Sequence, residues 1–296
     1  RYILEFDNNE LVINLSKNIS IGNHTIVQKL IDSNSSGLIL FSSGSTGEPK
    51  AMVHDLDNLI ESFRSTKKAK SLTFMIFLMF DHIGGLNTLL HCISSGLSMV
   101  FPSSRNPDNV CSLIEKYNVN VLPASPTFLN LIIISEAYNN FQLSSLKLIT
   151  YGTETMPENL LLKLKNIFPG VKFLQTFGTS ETGISQTSSK SSESTFIKIN
   201  DPNTEYKIVE NELYLKTKTQ ILGYLNHDSE RFTEDGWFKT GDLVEQSSDG
   251  YLKIIGRNKE VINVGGEKVL PSEVESILYT IPEIKDCMVF GEPNSI

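Results

Sequence analysis

Apolar and polar positions change rhythm along this chain. Tyr2–Phe6 and Glu10–Leu15 read as short strands, and Asn23–Asp32 reads as a helix. Leu38-Ile39-Leu40-Phe41 is a brief apolar run closed by a cluster of Ser, Gly and Thr, the pattern of a buried strand running into a loop. Asp55 to Phe63 then reads as a helix with Asp55 at its N-cap. Five strand-like runs follow: Leu72–Phe80, Leu97–Phe101, Val119–Leu122, Leu146–Tyr151 and Val171–Thr176. Helical stretches lie between most of them, at Leu86–Ile93, Asp108–Tyr117, Thr127–Ala137 and Glu158–Phe168. Such alternation predicts βαβ units and a parallel sheet covered on both faces. Ligands of such sheets bind beyond the carboxyl ends of the strands, which directs attention to the loops after Phe41, Tyr151 and Thr176.

The rhythm shifts after Gly183. A polar Ser/Thr/Lys tract, Gln186–Ser194, precedes short alternating runs at Tyr206–Val209, Glu212–Leu215 and Tyr251–Ile255. Asp235-Gly236 and Asp249-Gly250 mark turns, so this part reads as antiparallel β structure. Pro271-Ser272-Glu273 opens a helix to about Tyr279, and Asp286–Phe290 reads as a last strand. The fold class expected is α/β: a large unit over 1–256 with a parallel sheet and an antiparallel barrel-like part. The start of a small α+β unit follows over 257–296.

Composition narrows the function. Acidic residues outnumber basic ones, 34 to 26, giving a net charge of −8 and arguing against a nucleic-acid partner. Leu72–Phe80 is far shorter than the ~20 residues of a membrane span. Three scattered cysteines (Cys92, Cys111, Cys287) make neither a disulfide framework nor a zinc site, which suits a reducing, cytoplasmic setting.

The strongest chemical signal is Ser42-Ser43-Gly44-Ser45-Thr46-Gly47-Glu48-Pro49-Lys50. Two glycines let backbone N–H groups turn inward, four hydroxyls add donors, and Lys50 adds a charge, which together suit a polyphosphate. Taken alone the run also suits a flexible linker. Thr176-Phe177-Gly178-Thr179-Ser180-Glu181 places an aromatic ring, hydroxyls and one carboxylate together. Phe177 can stack on a base, Thr179 and Ser180 can donate to phosphate, and Glu181 can hold Mg²⁺; an ordinary polar turn is the other reading. Tyr151-Gly152-Thr153-Glu154 follows the preceding strand. Asp242, ending an aromatic β segment, can accept both ribose hydroxyls with Arg257 adding a charge-assisted bond. His82, beside Gly84-Gly85, reads as either a hydrogen-bonded fixture or a catalytic group.

Four segments stand in one order: SSGSTGEPK at 42–50, TFGTSETG at 176–183, GWFKTGD at 236–242 and GRNKEVINVGGEKVLPSEVE at 256–275. In that order the chain resembles the adenylate-forming superfamily, which holds acyl-CoA synthetases, peptide-synthetase adenylation domains and luciferases. The resemblance implies that a carboxylic acid attacks the α-phosphate of Mg·ATP, and that a thiol then takes the acyl group. The partners implied are a small carboxylic acid and either CoA or the phosphopantetheine of an acyl carrier protein.

Carried over by position, Ser42, Ser43, Gly44, Ser45, Thr46, Gly47 and Lys50 are implied to hold the β- and γ-phosphates. Gly152, Thr153 and Glu154 line an adenine pocket, with Phe177 on the ring. The loop Thr176-Phe177-Gly178-Thr179 leads to Ser180 at the α-phosphate and to Glu181 at Mg²⁺. Asp242 and Arg257 take the ribose, Lys259 is a hinge, and Val264–Lys268 swings toward the pantetheine channel. His82 lies between acyl pocket and thiol tunnel and favours the acyl-CoA synthetase branch; in the amino-acid-activating alternative Asp81 holds a substrate ammonium. The family's C-terminal catalytic lysine has no counterpart before Ile296, so this stretch alone is expected to adenylate poorly. A nucleotide-binding chain without turnover is a further reading.

Overall fold

The computed structural model describes residues 2–7, 10–15, 24–42, 49–64, 71–281 and 283–292. A hairpin of β1 (Tyr2–Asp7) and β2 (Glu10–Leu15) comes first, then α1 (Thr25–Asp32). β3 (Gly37–Ser42) and β4 (Lys50–Asp55) follow, and α2 (Leu56–Arg64) starts where Asp55 Oδ1 accepts from Asn58 N at 3.0 Å, as its N-cap position predicts.

The βαβ region then runs β5 (Thr73–Met75), α3 (Ile83–Ser95), β6 (Ser98–Val100), α4 (Pro107–Tyr117), β7 (Val121–Ala124), α5 (Pro126–Ser135), β8 (Leu148–Tyr151), α6 (Glu158–Ile167) and β9 (Lys172–Gln175). Two of its helices begin with an oxygen cap followed by proline: Asn106 Oδ1 accepts from Asn109 N at 2.8 Å, and Ser125 Oγ from Phe128 N at 3.2 Å. A missing proline N–H costs nothing there, and each cap contributes about 1 kcal/mol. The five strands form the expected all-parallel sheet, in the order β6-β5-β7-β8-β9. Alternation along the strands sends Met75, Leu122, Ile149 and Phe173 to a core shared with α4, α5 and α6. Phe74 and Met99 go to the other face, where they pack around Cys92 of α3.

The second half begins with β10 (Phe177–Thr179) and β11 (Gly183–Ser185). It continues through β12 (Thr187–Ser189), β13 (Phe196–Ile199), β14 (Thr204–Val209), β15 (Glu212–Thr217), β16 (Gly223–Tyr224), β17 (Phe238–Gln246) and β18 (Leu252–Arg257). A six-stranded antiparallel sheet, β12-β13-β18-β17-β15-β14, is the expected barrel-like part, open at its ends as a half-barrel. The polar tract before it has a structural use. Ser189 Oγ accepts from Gln175 N, Ser192 Oγ accepts from Phe173 N, and Thr187 Oγ1 donates to Gln175 O. Side-chain hydroxyls thus satisfy the open edge of β9 in place of a further strand. A small hairpin, β19 (Ile262–Val264) with β20 (Glu267–Val269), and α7 (Pro271–Leu278) complete the described elements.

Four expectations are corrected. Gly37–Ser42 does not belong to the parallel sheet: it pairs antiparallel with β4, which pairs with β16, because only seven residues separate Ser42 from Lys50, too few for a crossover. The run at 72–80 gives only a three-residue strand, since Arg105 Nε, rather than a neighbouring strand, takes Phe77 O at 2.8 Å, while Met79 and Phe80 turn outward. The segment 176–183 is not an open loop but a hairpin. Asp286–Phe290 forms no strand among the described residues and is held by side chains: Val289 N donates to Glu275 Oε1 at 2.8 Å. Among the described residues no helix is long and apolar enough to cross a membrane.

Candidate functional site

β8 and β9 lie side by side with Tyr151 opposite Gln175, so the chain leaving each emerges at one edge of the parallel sheet. Residues 152–155 turn there. Gly152 is required by proximity: a Cβ would lie 2.7 Å from Thr176 Oγ1 and 2.8 Å from the Thr176 carbonyl oxygen. Thr153 takes a left-handed φ of 71°, and Glu154 is anchored, its Oε2 accepting from Thr127 N at 3.1 Å and Thr127 Oγ1 at 2.6 Å. Gly152, Thr153, Glu154, Thr176, Phe177 and Gly178 line one wall of a cleft of about 750 Å³. Phe177 is also part of the half-barrel core, so only a sliver of its ring faces the cleft. Gln175 lines the same space, and its buried Oε1 has no hydrogen-bond partner. An unsatisfied buried acceptor is costly, so it marks a place where a ligand donor fits.

The opposite wall comes from β17 and β18, where Asp242 sits directly across from Arg257. Asp242 is 4 % exposed; its Oδ1 meets Arg257 Nε at 3.1 Å, and its N–H donates to Thr240 Oγ1 at 3.0 Å. Burial raises its carboxyl above the ordinary value, and the charges of Arg257 and Arg231 only partly offset this. The outer wall is the C-terminal stretch, including Glu275, Tyr279 and Asp286–Phe290, tied down where Asn130 Nδ2 donates to Lys285 O at 3.3 Å.

Glu181 occupies the turn of the β10–β11 hairpin. The hairpin closes only on glycine, since a Cβ on Gly178 would come within 2.2 Å of Gly183 O. Thr179 Oγ1 and Thr182 Oγ1 pair at 3.0 Å across the turn, and Ser180 is half-buried beside them. Glu181 is 8 % exposed, and Tyr224 Oη donates to its Oε1 at 3.0 Å. Arg231 Nη1 lies 3.6 Å from the same oxygen. Burial, then the Glu181 charge and hydrogen bond, push the Tyr224 hydroxyl upward and keep it protonated. Lys50 Nζ sits 5.5 Å from the centre of the Tyr224 ring, so one tyrosine joins the two residues expected at the phosphates and the metal. His54 of β4 is fully buried nearby; burial lowers its pKa to about 4, with the Glu181 charge opposing, so the ring is neutral at pH 7. Neither of its ring nitrogens makes a hydrogen bond of good geometry among the described residues.

The expected residues thus fall into two clusters: Gly152, Thr153, Glu154, Thr176, Phe177, Gly178, Asp242 and Arg257 on the cleft, and Lys50 with Glu181 around Tyr224. Ser42 ends β3 directly across from Lys50; Ser43, Gly44, Ser45, Thr46 and Gly47 lie outside the described residues. His82 stands apart: it precedes α3, is exposed, lines no part of the cleft, and has its Nε2 3.9 Å from Asp81 Oδ1. Lys259 is exposed in the single turn after β18. Tyr224, Arg231, Gln175 and His54 were not expected. A basic residue eleven positions before Asp242 was the available signal for Arg231, but Glu181 lies 43 positions before Tyr224 and 50 before Arg231, so nothing local links the three.

Comparison with known proteins places this arrangement. The model of a family described as AMP-binding enzyme matches residues 4–225. The chain is 27 % identical over 293 residues to a 2-succinylbenzoate–CoA ligase of Enterococcus faecalis, covering 92 % of this chain and 60 % of that protein. It is 28 % identical over 285 residues to a 4-coumarate–CoA ligase-like protein of Arabidopsis thaliana, covering 86 % of this chain and 50 % of the other. In fold it is similar to the anthranilate CoA ligase AuaEII, solved in complex with anthranoyl-AMP. The TM-score is 0.73 at 24 % identity, covering 86 % of this chain and 54 % of that one. The chain spans about half the length of the curated relatives it matches.

Proposed function

This chain belongs to the AMP-binding enzyme family, and from that premise we propose that it carries the nucleotide-handling part of an ATP-dependent carboxylate–thiol ligase. The reaction is activation of a small carboxylic acid as its acyl-adenylate with release of pyrophosphate, followed by transfer to a thiol. CoA is the acceptor we favour, in line with the CoA ligases among its relatives, ahead of a carrier-protein phosphopantetheine. The observation that carries the reading is the cleft itself. The glycine-cradled turn at 152–154 and the Asp242–Arg257 pair face one space, which Gln175, with its unpartnered buried oxygen, also lines.

Each part has a task. Gly152 lets a flat base approach the backbone, and Gln175 Oε1 is an acceptor for an amino group. Asp242 presents its carboxylate to the ribose hydroxyls, with Arg257 holding one of its oxygens. Lys50 and the Ser42–Gly47 run neutralise and orient the phosphates. That is the central problem when an anion attacks a polyanion, where one preorganised donor is worth roughly 10²–10³ in rate. Glu181 fits Mg²⁺: it is one hard oxygen donor in a turn with hydroxyls, and no group of three ligating side chains surrounds it among the described residues. A metal delivered on phosphates needs only that much. When bound, Mg²⁺ supplies charge neutralisation at the reacting phosphate. Ser180, beside Glu181, donates toward the α-phosphate. Lys259, exposed just after β18, is the hinge between a unit ending near 256 and the 257–296 segment. The three free cysteines accord with a reducing, cytoplasmic setting.

The test is ATP–pyrophosphate exchange on the full-length protein across fatty, aryl and amino acids. Acid-dependent exchange that falls at least tenfold in Lys50→Ala and in Glu181→Ala is expected. Wild-type exchange in either variant refutes the phosphate and metal assignments, and exchange with amino acids alone refutes the acyl-CoA synthetase branch.

A further inference from the structure

Arg231 lies between the two clusters, bonded to the peptides that lead into Asp242 and paired with Glu181. Its Nε donates to Lys239 O at 3.0 Å and its Nη2 donates to Thr240 O. The guanidinium stacks on Phe238, 4.5 Å from the ring centre. These contacts fix the group on the two peptides that lead into Gly241 and Asp242. Gly241 has a φ of 75°, and a Cβ there would sit 3.4 Å from Arg231 Nη2, so the turn closes directly over the guanidinium. The remaining nitrogen, Nη1, points to Glu181 Oε1 at 3.6 Å. Tyr224 holds that same oxygen, and no hydrogen bond or ion pair among the described residues engages Glu181 Oε2.

A guanidinium presents its donors in a rigid plane, so a group anchored through two of them transmits a fixed spacing to the third. Lysine, a single point charge on a flexible stem, cannot hold two carbonyls and a carboxylate at once. We infer that Arg231 is a positioning residue: it sets the distance between the Asp242 turn and the Glu181 hairpin, and so couples recognition of the ribose to the phosphate end of the site. This rests on the nucleotide reading above and adds a residue to it.

The test is calorimetric binding of AMP and 2′-deoxy-AMP to the full-length protein in EDTA, where neither turnover nor metal enters. Losing one hydrogen bond to a charged group corresponds to roughly 10-fold or more in affinity, so wild type should prefer AMP by about that factor. In Arg231→Met the preference should fall to about 2-fold or less, and in Arg231→Lys by at least about threefold, with the weakening confined mainly to AMP. Glu181→Gln should lower the preference in wild type and add nothing in Arg231→Met, the signature of a shared link. Trp237, the sole tryptophan, reports by fluorescence whether each variant is folded; if Arg231→Met is not, Arg231→Lys decides alone. A preference unchanged in the folded variants, or equal losses for both nucleotides, overturns the inference while leaving the nucleotide reading intact. A wild type that binds neither nucleotide overturns the nucleotide reading itself, and one that binds both equally overturns the ribose assignment and the inference with it.

Discussion

Replacing Asp242 by Asn separates what the site costs the fold from what it does for a ligand. Asp242 is almost wholly buried, and its folded pKa is raised: desolvation outweighs the attraction of Arg257, of Arg231 and of the Thr240 hydrogen bond. The charge is therefore a net burden on the native state. The sign follows from linkage. A carboxyl with a raised native pKa binds its proton in the folded chain before the unfolded one does. Stability contributed by this group is therefore lost as pH rises from the ordinary aspartate value through the raised one. Asn is isosteric, keeps one oxygen for Arg257 Nε and removes the charge. Breaking a buried pair usually costs about 3–5 kcal/mol, but Arg257 is 43 % exposed and can turn to water, so that figure does not apply in full. Asp242→Asn is thus expected to be within about 1 kcal/mol of wild type at pH 7, or more stable, with a flatter stability profile as pH rises above the ordinary aspartate value. The same change removes a charged acceptor from the ribose position and should weaken AMP binding roughly 10- to 100-fold. Urea unfolding across pH and calorimetry on the same samples check both halves. A loss of more than about 3 kcal/mol at pH 7 with AMP affinity intact would refute the reasoning, because it would make Asp242 a structural ion-pair partner and nothing more.

Other perturbations reach different parts of the account. Gly178→Ala forces a Cβ against the Gly183 carbonyl and should open the β10–β11 hairpin; amide exchange across 177–185 should rise sharply, and unchanged protection would show that the turn has room. Tyr224→Phe leaves Glu181 short of a donor and should cost about 1–3 kcal/mol in urea unfolding, with no measurable change expected only if the carboxylate turns to solvent. Burial pushes the Cys92 and Cys111 thiols up to about 11 and about 12 and raises Cys287 as well, but only Cys287 is partly exposed, so at pH 8 a thiol reagent should modify Cys287 first, slowly, and AMP should slow it further because Cys287 lines the cleft. Lys259→Pro fixes φ just beyond β18. It should spare adenylation but slow thioester formation in the full-length protein; equal loss of both half-reactions would count against a hinge.

Much of the fold could be read from the residues because periodicity there is strong. The runs around β7, β8 and β9 and the helices α4, α5 and α6 sit close to their predicted places, since each helix has a core-facing stripe and two carry oxygen–proline starts. Reading failed where tertiary contacts override local pattern. Phe74 to Phe80 is apolar enough for a long strand, yet Arg105 takes the Phe77 carbonyl and the ladder ends at Met75. β10 and β11 are three residues each, too short for alternation to register, so their hairpin looks like a loop. On the cleft, Asp242 and Arg257 were legible because each sits in a recognisable segment, GWFKTGD and GRNKE, and the structure sets them opposite each other on β17 and β18. Tyr224 and Arg231 were not: Glu181 lies 43 positions from the tyrosine, and nothing local distinguishes an aromatic or basic residue that will meet it.

The central claim is that the space between the ends of β8 and β9 and the β17–β18 pair receives a nucleotide. A crystal structure of the full-length protein grown with AMP tests it most directly. The account predicts ribose hydroxyls within about 3.2 Å of Asp242 and the base lying between the Gly152 turn and Gln175. AMP found on any other surface, with Asp242 still paired to Arg257 alone, would contradict it.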